Sequence, residues 1–219
     1  MKKLVFSLIC VNAFASNFVG LDIYGTSLVE ENGVSLEDNF VGRADLYANR
    51  FYTNEENHFV YDIRFTHAEI NSDFVNSYNV KGKIKDSFNS FSALGGYGIL
   101  VGNDMSLSLL GGLGYASRSF ETKFYNIDTN DINVSANSMF LKAGVAARKQ
   151  FENNFTMSGG VYLKYFAKKV NFIKRFSPEV DLRLGYTFAN NTYAGVKFGY
   201  ENTLIGHGGK AGFELGYKF

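Results

Sequence analysis

Three histidines, His58, His67 and His207, are the first places in this chain to look for catalysis. Hydrolytic chemistry needs an imidazole beside a nucleophile or a water, with a carboxylate to orient it. His67 and Glu69 are two residues apart, so in a strand they share one face and would make half of such a site. No partner for the other half is visible. His58 follows a turn-forming stretch, and His207 sits in the glycine-rich run Gly206-His207-Gly208-Gly209. His67 reads as a solvated histidine at the end of a strand, and the chain as a non-enzyme.

Other side chains suggest binding. Glu30-Glu31 and Glu37-Asp38 are oxygen donors of the kind that collect a divalent cation, but they read as a solvated acidic loop. No metal and no cofactor is assigned. Lys168, Lys169, Lys174 and Arg175 cluster within one polar stretch. Ammonium and guanidinium groups contact phosphate favourably, so these four are the candidate lipid-phosphate site, against a merely solvated basic loop. The Gly-Gly pairs at 95–96, 111–112 and 159–160 lack the lysine and the helix of a phosphate loop. Phe74, Tyr78, Phe124, Tyr125 and Phe172 lie in polar stretches, where they would serve adhesion or pack the loops together.

What must position these residues is a series of alternating strands. Ala211, Phe213, Leu215, Tyr217 and Phe219 alternate with Lys210, Gly212, Glu214, Gly216 and Lys218. Period-two alternation gives a strand one apolar face and one small or charged face. The pattern recurs upstream, as in Val180, Leu182, Leu184 and Tyr186 against Asp181, Arg183, Gly185 and Thr187. It predicts strands at 17–27, 39–53, 58–70, 87–101, 105–120, 136–151, 155–170, 178–189, 192–202 and 210–219. Short Asn/Asp/Gly turns at 54–57, 102–104, 152–154 and 190–191 alternate with long polar stretches at about 28–38, 71–86, 121–135, 171–177 and 203–209.

This asymmetry of short and long connections predicts an antiparallel up-and-down transmembrane barrel of ten strands, with eight as the alternative count. In hydrocarbon every backbone N–H and C=O must be paired, which a β-protein achieves only by closing. The charges agree, because Asp22, Arg43, Asp45, Asp62, Arg64, Arg118, Lys142 and Arg148 share the inferred inward parity with Lys164, Asp181, Arg183, Lys197, Glu201 and Glu214. A soluble sandwich would turn its charges outward.

The N-terminal segment fits export. Lys2-Lys3 is basic, residues 4–11 are apolar, and Ala13-Phe14-Ala15 is an A-x-A site. These features predict a secretory signal peptide at 1–15, cleaved after Ala15, and a barrel domain at 16–219. Cleavage would remove Cys10, the single cysteine, and leave 20 basic residues against 21 acidic ones. That near-neutral balance argues against a nucleic-acid partner.

Signal, alternating strands, Asn/Asp turns and the terminal Tyr217-Lys218-Phe219 together resemble the small outer-membrane β-barrels of Gram-negative bacteria, the OmpA-, OmpX- and Opa-like class. More distantly the chain is similar to autotransporter translocator barrels. The resemblance is one of pattern over the whole mature chain. It implies an outer-membrane location, contact with outer-membrane lipid and lipopolysaccharide, and recognition by the barrel-assembly machinery through Tyr217 and Phe219. The glycine common five residues before the end is Glu214 here. Neither the acidic Asp-x-His pattern of outer-membrane proteases nor the His-x-Ser pattern of lipid A deacylases is present. The expected role is structural or surface-interactive through long extracellular loops, with an unidentified host or surface ligand. A small porin-like channel is the alternative, and a lipid-modifying enzyme a more remote one.

Overall fold

In a computed structural model the chain forms one closed β-sheet. The structure describes residues 18–27, 34–36, 40–50, 57–76, 78–102, 105–125, 130–168, 175–202 and 207–219. The signal segment 1–15, with Cys10, lies outside the described residues.

Among the described residues eleven strands follow in chain order: β1 (Phe18–Ser27), β2 (Val34–Leu36), β3 (Phe40–Arg50), β4 (Asn57–Asn76), β5 (Lys81–Val101) and β6 (Met105–Phe124). The others are β7 (Ile132–Gln150), β8 (Phe155–Phe166), β9 (Phe176–Thr187), β10 (Thr192–Asn202) and β11 (His207–Lys218). Ten of them make the ring, each antiparallel to its neighbours, and β11 closes it on β1 from Phe18↔Lys218 to Thr26↔Lys210. The short β2 is an addition, pairing with the far end of β4 from Val34↔Asn76 to Leu36↔Phe74.

The barrel is inside-out relative to a soluble protein. Leu109 is 65% exposed and Phe213 71%, while Asp22 and Lys197 are at 0% and 1%. The apolar outer face of β5 runs from Phe91 to Val101. A tilted strand needs about 9–11 residues to cross hydrocarbon, so that face is one bilayer long. Asparagine shapes the turns: Asn79, Asn154 and Asn191 adopt φ of 58°, 64° and 65°. Each donates its backbone N–H to the carbonyl three residues back, on Asn76, Phe151 and Phe188. Asn tolerates this left-handed region better than most side chains.

Strands β4 to β7 are longer than the sequence suggested. The expected long loops at 71–86 and 121–135 are mostly strand, leaving connections at 77–80 and 125–131. The expected first loop, 28–38, contains β2. At its other margins the reading shifts by a few residues: β8 ends at Phe166 rather than 170, and β11 begins at His207 rather than 210. The physical reason is common to the long strands. Beyond the bilayer the outer face no longer has to be apolar, so the hydrophobic alternation stops although the hydrogen-bond ladder continues. Glu69, Ser87, Ser119 and Ser135 stand in one register row across the four strands. The result is a four-stranded sheet rising from one side of the ring.

Candidate functional site: the filled lumen and its rims

Alternate residues of every ring strand point inward, and they fill the interior in layers. At the short-turn end Phe18, Tyr47 and Tyr193 pack together. Val60, Leu94, Leu110 and Tyr162 form a second apolar group. Near the long-loop end lies a third, made of Val41, Ala68, Ile70, Phe88, Ala116, Phe140 and Phe166.

Between these layers runs an ionic network. In the register of β11, β1 and β3, Glu214, Asp22 and Asp45 stand side by side. Three carboxylates in a row repel, and cations from the strands beside them, β4, β10 and β9, offset that repulsion. Lys197 Nζ lies 2.9 Å from Asp22 and 3.2 Å from Asp45, and Arg64 Nη1 lies 2.9 Å and 2.6 Å from the same two. Arg64 also reaches Asp62 at 3.5 Å. Arg183 pairs with Glu214 at 3.0 Å and approaches Asp181 at 3.8 Å. A second hub is Glu179, which holds Lys142, Lys164 and Lys210 at 2.8, 3.1 and 3.2 Å. Arg43 pairs with Glu201. Towards the long-loop end Arg118 Nε donates to both oxygens of Asp86 at 2.9 Å.

Pairing of this kind is what keeps charge tolerable in a low-dielectric wall, since an unpaired buried ion costs several kcal/mol. All fourteen charged residues assigned to the inward parity face inward, with Arg118 and Lys164 half-buried. The sequence reading missed Glu179 and Asp86. Glu179 has the same parity as Asp181 and Arg183, so alternation alone would have found it. Asp86 was hidden among residues taken for a loop.

The histidines are dispersed. His58 is buried in the lumen near the short turns, its Nε2 3.0 Å from Ser106 Oγ. His67 and Glu69 do share one face, as read, but it is the outer one. His67 Nδ1 lies 2.9 Å from Asn89 Oδ1, and Glu69 lies 4.0 Å from Lys85 Nζ. His207 opens β11 opposite Asn202. Glu30, Glu31, Glu37 and Asp38 lie outside the described residues. Among the described residues no group of three or more His, Cys, Asp or Glu gathers as a metal site.

Of the four basic candidates, Lys169 and Lys174 lie outside the described residues. Lys168 and Arg175 are exposed on the same rim, joined through the strand ends: Phe166 N donates to Arg175 O at 2.9 Å, and Lys168 N to Ser138 Oγ at 3.1 Å. Tyr217 and Phe219 face outward at the short-turn end, their rings stacked edge to face at 4.9 Å. The loop aromatics divide. Phe74 turns inward against Phe124, Tyr78 and Tyr125 are exposed at the tip of the raised sheet, and Phe172 lies outside the described residues.

Comparison with solved structures shows which fold this is. The translocator domain of the autotransporter NalP from Neisseria meningitidis aligns with 99% of this chain and 93% of its own, at 12% identity and a TM-score of 0.59. The transport unit of the autotransporter AIDA-I from Escherichia coli aligns with 99% and 94%, at 11% identity and a TM-score of 0.50. The attachment invasion locus protein Ail of Yersinia pestis aligns with 94% and 100%, at 16% identity and a TM-score of 0.41. No family model and no curated protein sequence matches the chain. The fold is that of the outer-membrane β-barrels, a closed ten-stranded antiparallel ring.

Proposed function

We propose that the chain is an integral outer-membrane barrel of Gram-negative bacteria that works without catalysis, as a surface for interaction or adhesion. The observation that carries this reading is the raised sheet of β4 to β7. Its tip turn is held rigid, with Asn76 Oδ1 accepting from the backbone N–H of Tyr78 at 2.9 Å and of Val80 at 3.0 Å. On it Tyr78 is 86% exposed. An aromatic side chain on a fixed backbone loses little freedom on binding, which favours recognition.

The test is whole-cell binding to host or surface material by a strain carrying Tyr78→Ala with Tyr125→Ala. Binding is expected to fall while the folded barrel keeps its heat-modifiable migration on a gel. Undiminished binding by the double variant would overturn the adhesive reading. For Lys168 and Arg175 the same proposal assigns contact with lipopolysaccharide phosphates, since both are exposed on the rim at the long-loop end.

A small channel is the second reading, favoured by the polar middle layer of the lumen. Against it stand the ion pairs and the apolar group around Phe88, Phe140 and Phe166. An eight-stranded interior is just filled by side chains, while aqueous porins use about sixteen strands. Steady openings of porin size in a planar bilayer would favour the channel. For the enzymatic alternative the assay is lipid A structure in a strain carrying His67→Ala with His207→Ala, where an altered acylation pattern would revive it.

A further inference from the structure

The described residues of the lumen do not balance their own charge. Among the described residues, ten cations face inward against eight carboxylates, and the two left over are Arg148 and Lys218. Both are at the short-turn end, near the Phe18 ring. The Arg148 guanidinium lies 4.0 Å from the centre of that ring and Lys218 Nζ 5.9 Å from it. Lys218 has Gln150 Oε1 at 3.4 Å. Arg148 is only 7% exposed, makes no ion pair with a described residue, and its Nε has no acceptor. A guanidinium carries five N–H donors and cannot shed its proton. A ring face offsets part of that demand, but supplies no hydrogen-bond acceptor.

Arg148 lines a cavity of about 30 Å3 whose wall also carries Asn49, Tyr193 and four carboxylates, Asp62, Glu179, Asp181 and Glu214, each of which has a cation other than Arg148 within 3.8 Å. A water-sized particle takes roughly 10–15 Å3 on this measure, so the cavity holds one or two. The other cations on its wall, Arg64, Lys142 and Arg183, already have carboxylates within 3.0 Å. We propose that this cavity is a halide site, in which a chloride ion seated against Arg148, with Lys218 nearby, is the missing counter-ion of the lumen. The cavity wall itself carries four cations and four carboxylates, so the choice of an anion over water rests on Arg148 being the one cation of that wall without a carboxylate partner among the described residues, and on the surplus of two cations among those that face inward. The competing occupant is a water joining Arg148 Nε to Glu214 Oε2, an oxygen that also has no partner.

Two measurements on the refolded full chain in detergent decide the matter. Crystals grown in sodium bromide should show an anomalous peak in contact with the Arg148 guanidinium. A peak with no anomalous signal, or none there, means water and overturns the proposal. Thermal unfolding in sodium chloride against sodium isethionate, at equal ionic strength, should show a higher midpoint in chloride. Arg148→Gln should lose that difference while still migrating as a folded barrel. Should Arg148→Gln not fold, Lys218→Gln is the variant to use, and it should reduce the difference. A wild type indifferent to the anion, or a folded Arg148→Gln with the full chloride effect, also overturns the site.

Discussion

Asp22 and Asp45 face each other directly across the β1–β3 ladder, both fully buried, and share the same two cations, Lys197 and Arg64. Like charges directly opposite on neighbouring strands destabilise a sheet. The pair is tolerable only because Lys197 enters from β10 and Arg64 from β4, strands that flank the β3–β1–β11 arc on its two sides. Cations from the flanking strands thus tie β10, β1, β3 and β4 together inside the lumen.

Removing one member should therefore be costly. Lys197→Met leaves Asp45 paired with Arg64 alone and Asp22 with Arg64 and, at 3.8 Å, Arg183, and breaking a buried pair of this kind costs about 3–5 kcal/mol. Urea unfolding in detergent micelles should show the loss as an earlier midpoint. Adding Asp22→Asn and Asp45→Asn to Lys197→Met should recover much of it. A Lys197→Met barrel that unfolds at the wild-type urea concentration would count against the network as a stabilising element.

Space is equally constrained at the long-loop end of the lumen. Gly114 pairs with Phe140 across β6 and β7, and a Cβ at Gly114 would collide with the Phe140 ring. Gly114→Ala should lower stability by about 1–3 kcal/mol, the usual range for overpacking. Phe140→Leu on that background should give most of it back, which a backbone effect of the alanine would not allow.

Assembly gives a third expectation. The resemblance to outer-membrane barrels assigns the terminal aromatic to the assembly machinery, and Phe219 is free on the outer face to be read. Deleting Phe219 should lower the amount of heat-modifiable protein in the outer membrane more than Tyr78→Ala does. Equal insertion of the two variants would remove Phe219 from that role.

The rim cations offer a fourth. Lys168→Glu with Arg175→Glu should reduce the lipopolysaccharide that co-purifies with the folded barrel, because phosphate then meets two carboxylates. Unchanged co-purification would leave Lys168 and Arg175 as solvated rim residues.

Much of this architecture was legible in the sequence for one reason: crossing a bilayer forces alternation on every strand. Phe213 and Glu214 disclose their sides of the wall by parity alone, as do Leu182 and Arg183. The turns at Asn154 and Asn191 were equally visible, since few other residues accept their backbone angles. Illegible were the strand segments where that force is absent. From Asn71 to Asn76, and from Lys81 to Asp86, both faces carry polar residues, so the stretch reads as a loop although its backbone is laddered. Which cation serves which carboxylate was also out of reach. Parity shows that Lys210 points inward, but only the shear of the ring brings it to Glu179 on a strand two places away.

The raised sheet has one more consequence. Seven residues of strand beyond Glu69 advance roughly 23 Å at about 3.3 Å each, measured along the strand. The rigidity of that mast is borrowed from the ring below, because its strands are the ring's own strands continued. Tyr78, at the summit, lies beyond the last rung of the β4–β5 ladder, Val75↔Lys81, and takes no part in closing the ring. By the same logic, foreign epitopes spliced between Ser77 and Val80 should be displayed at a fixed height above the cell without compromising the barrel that carries them.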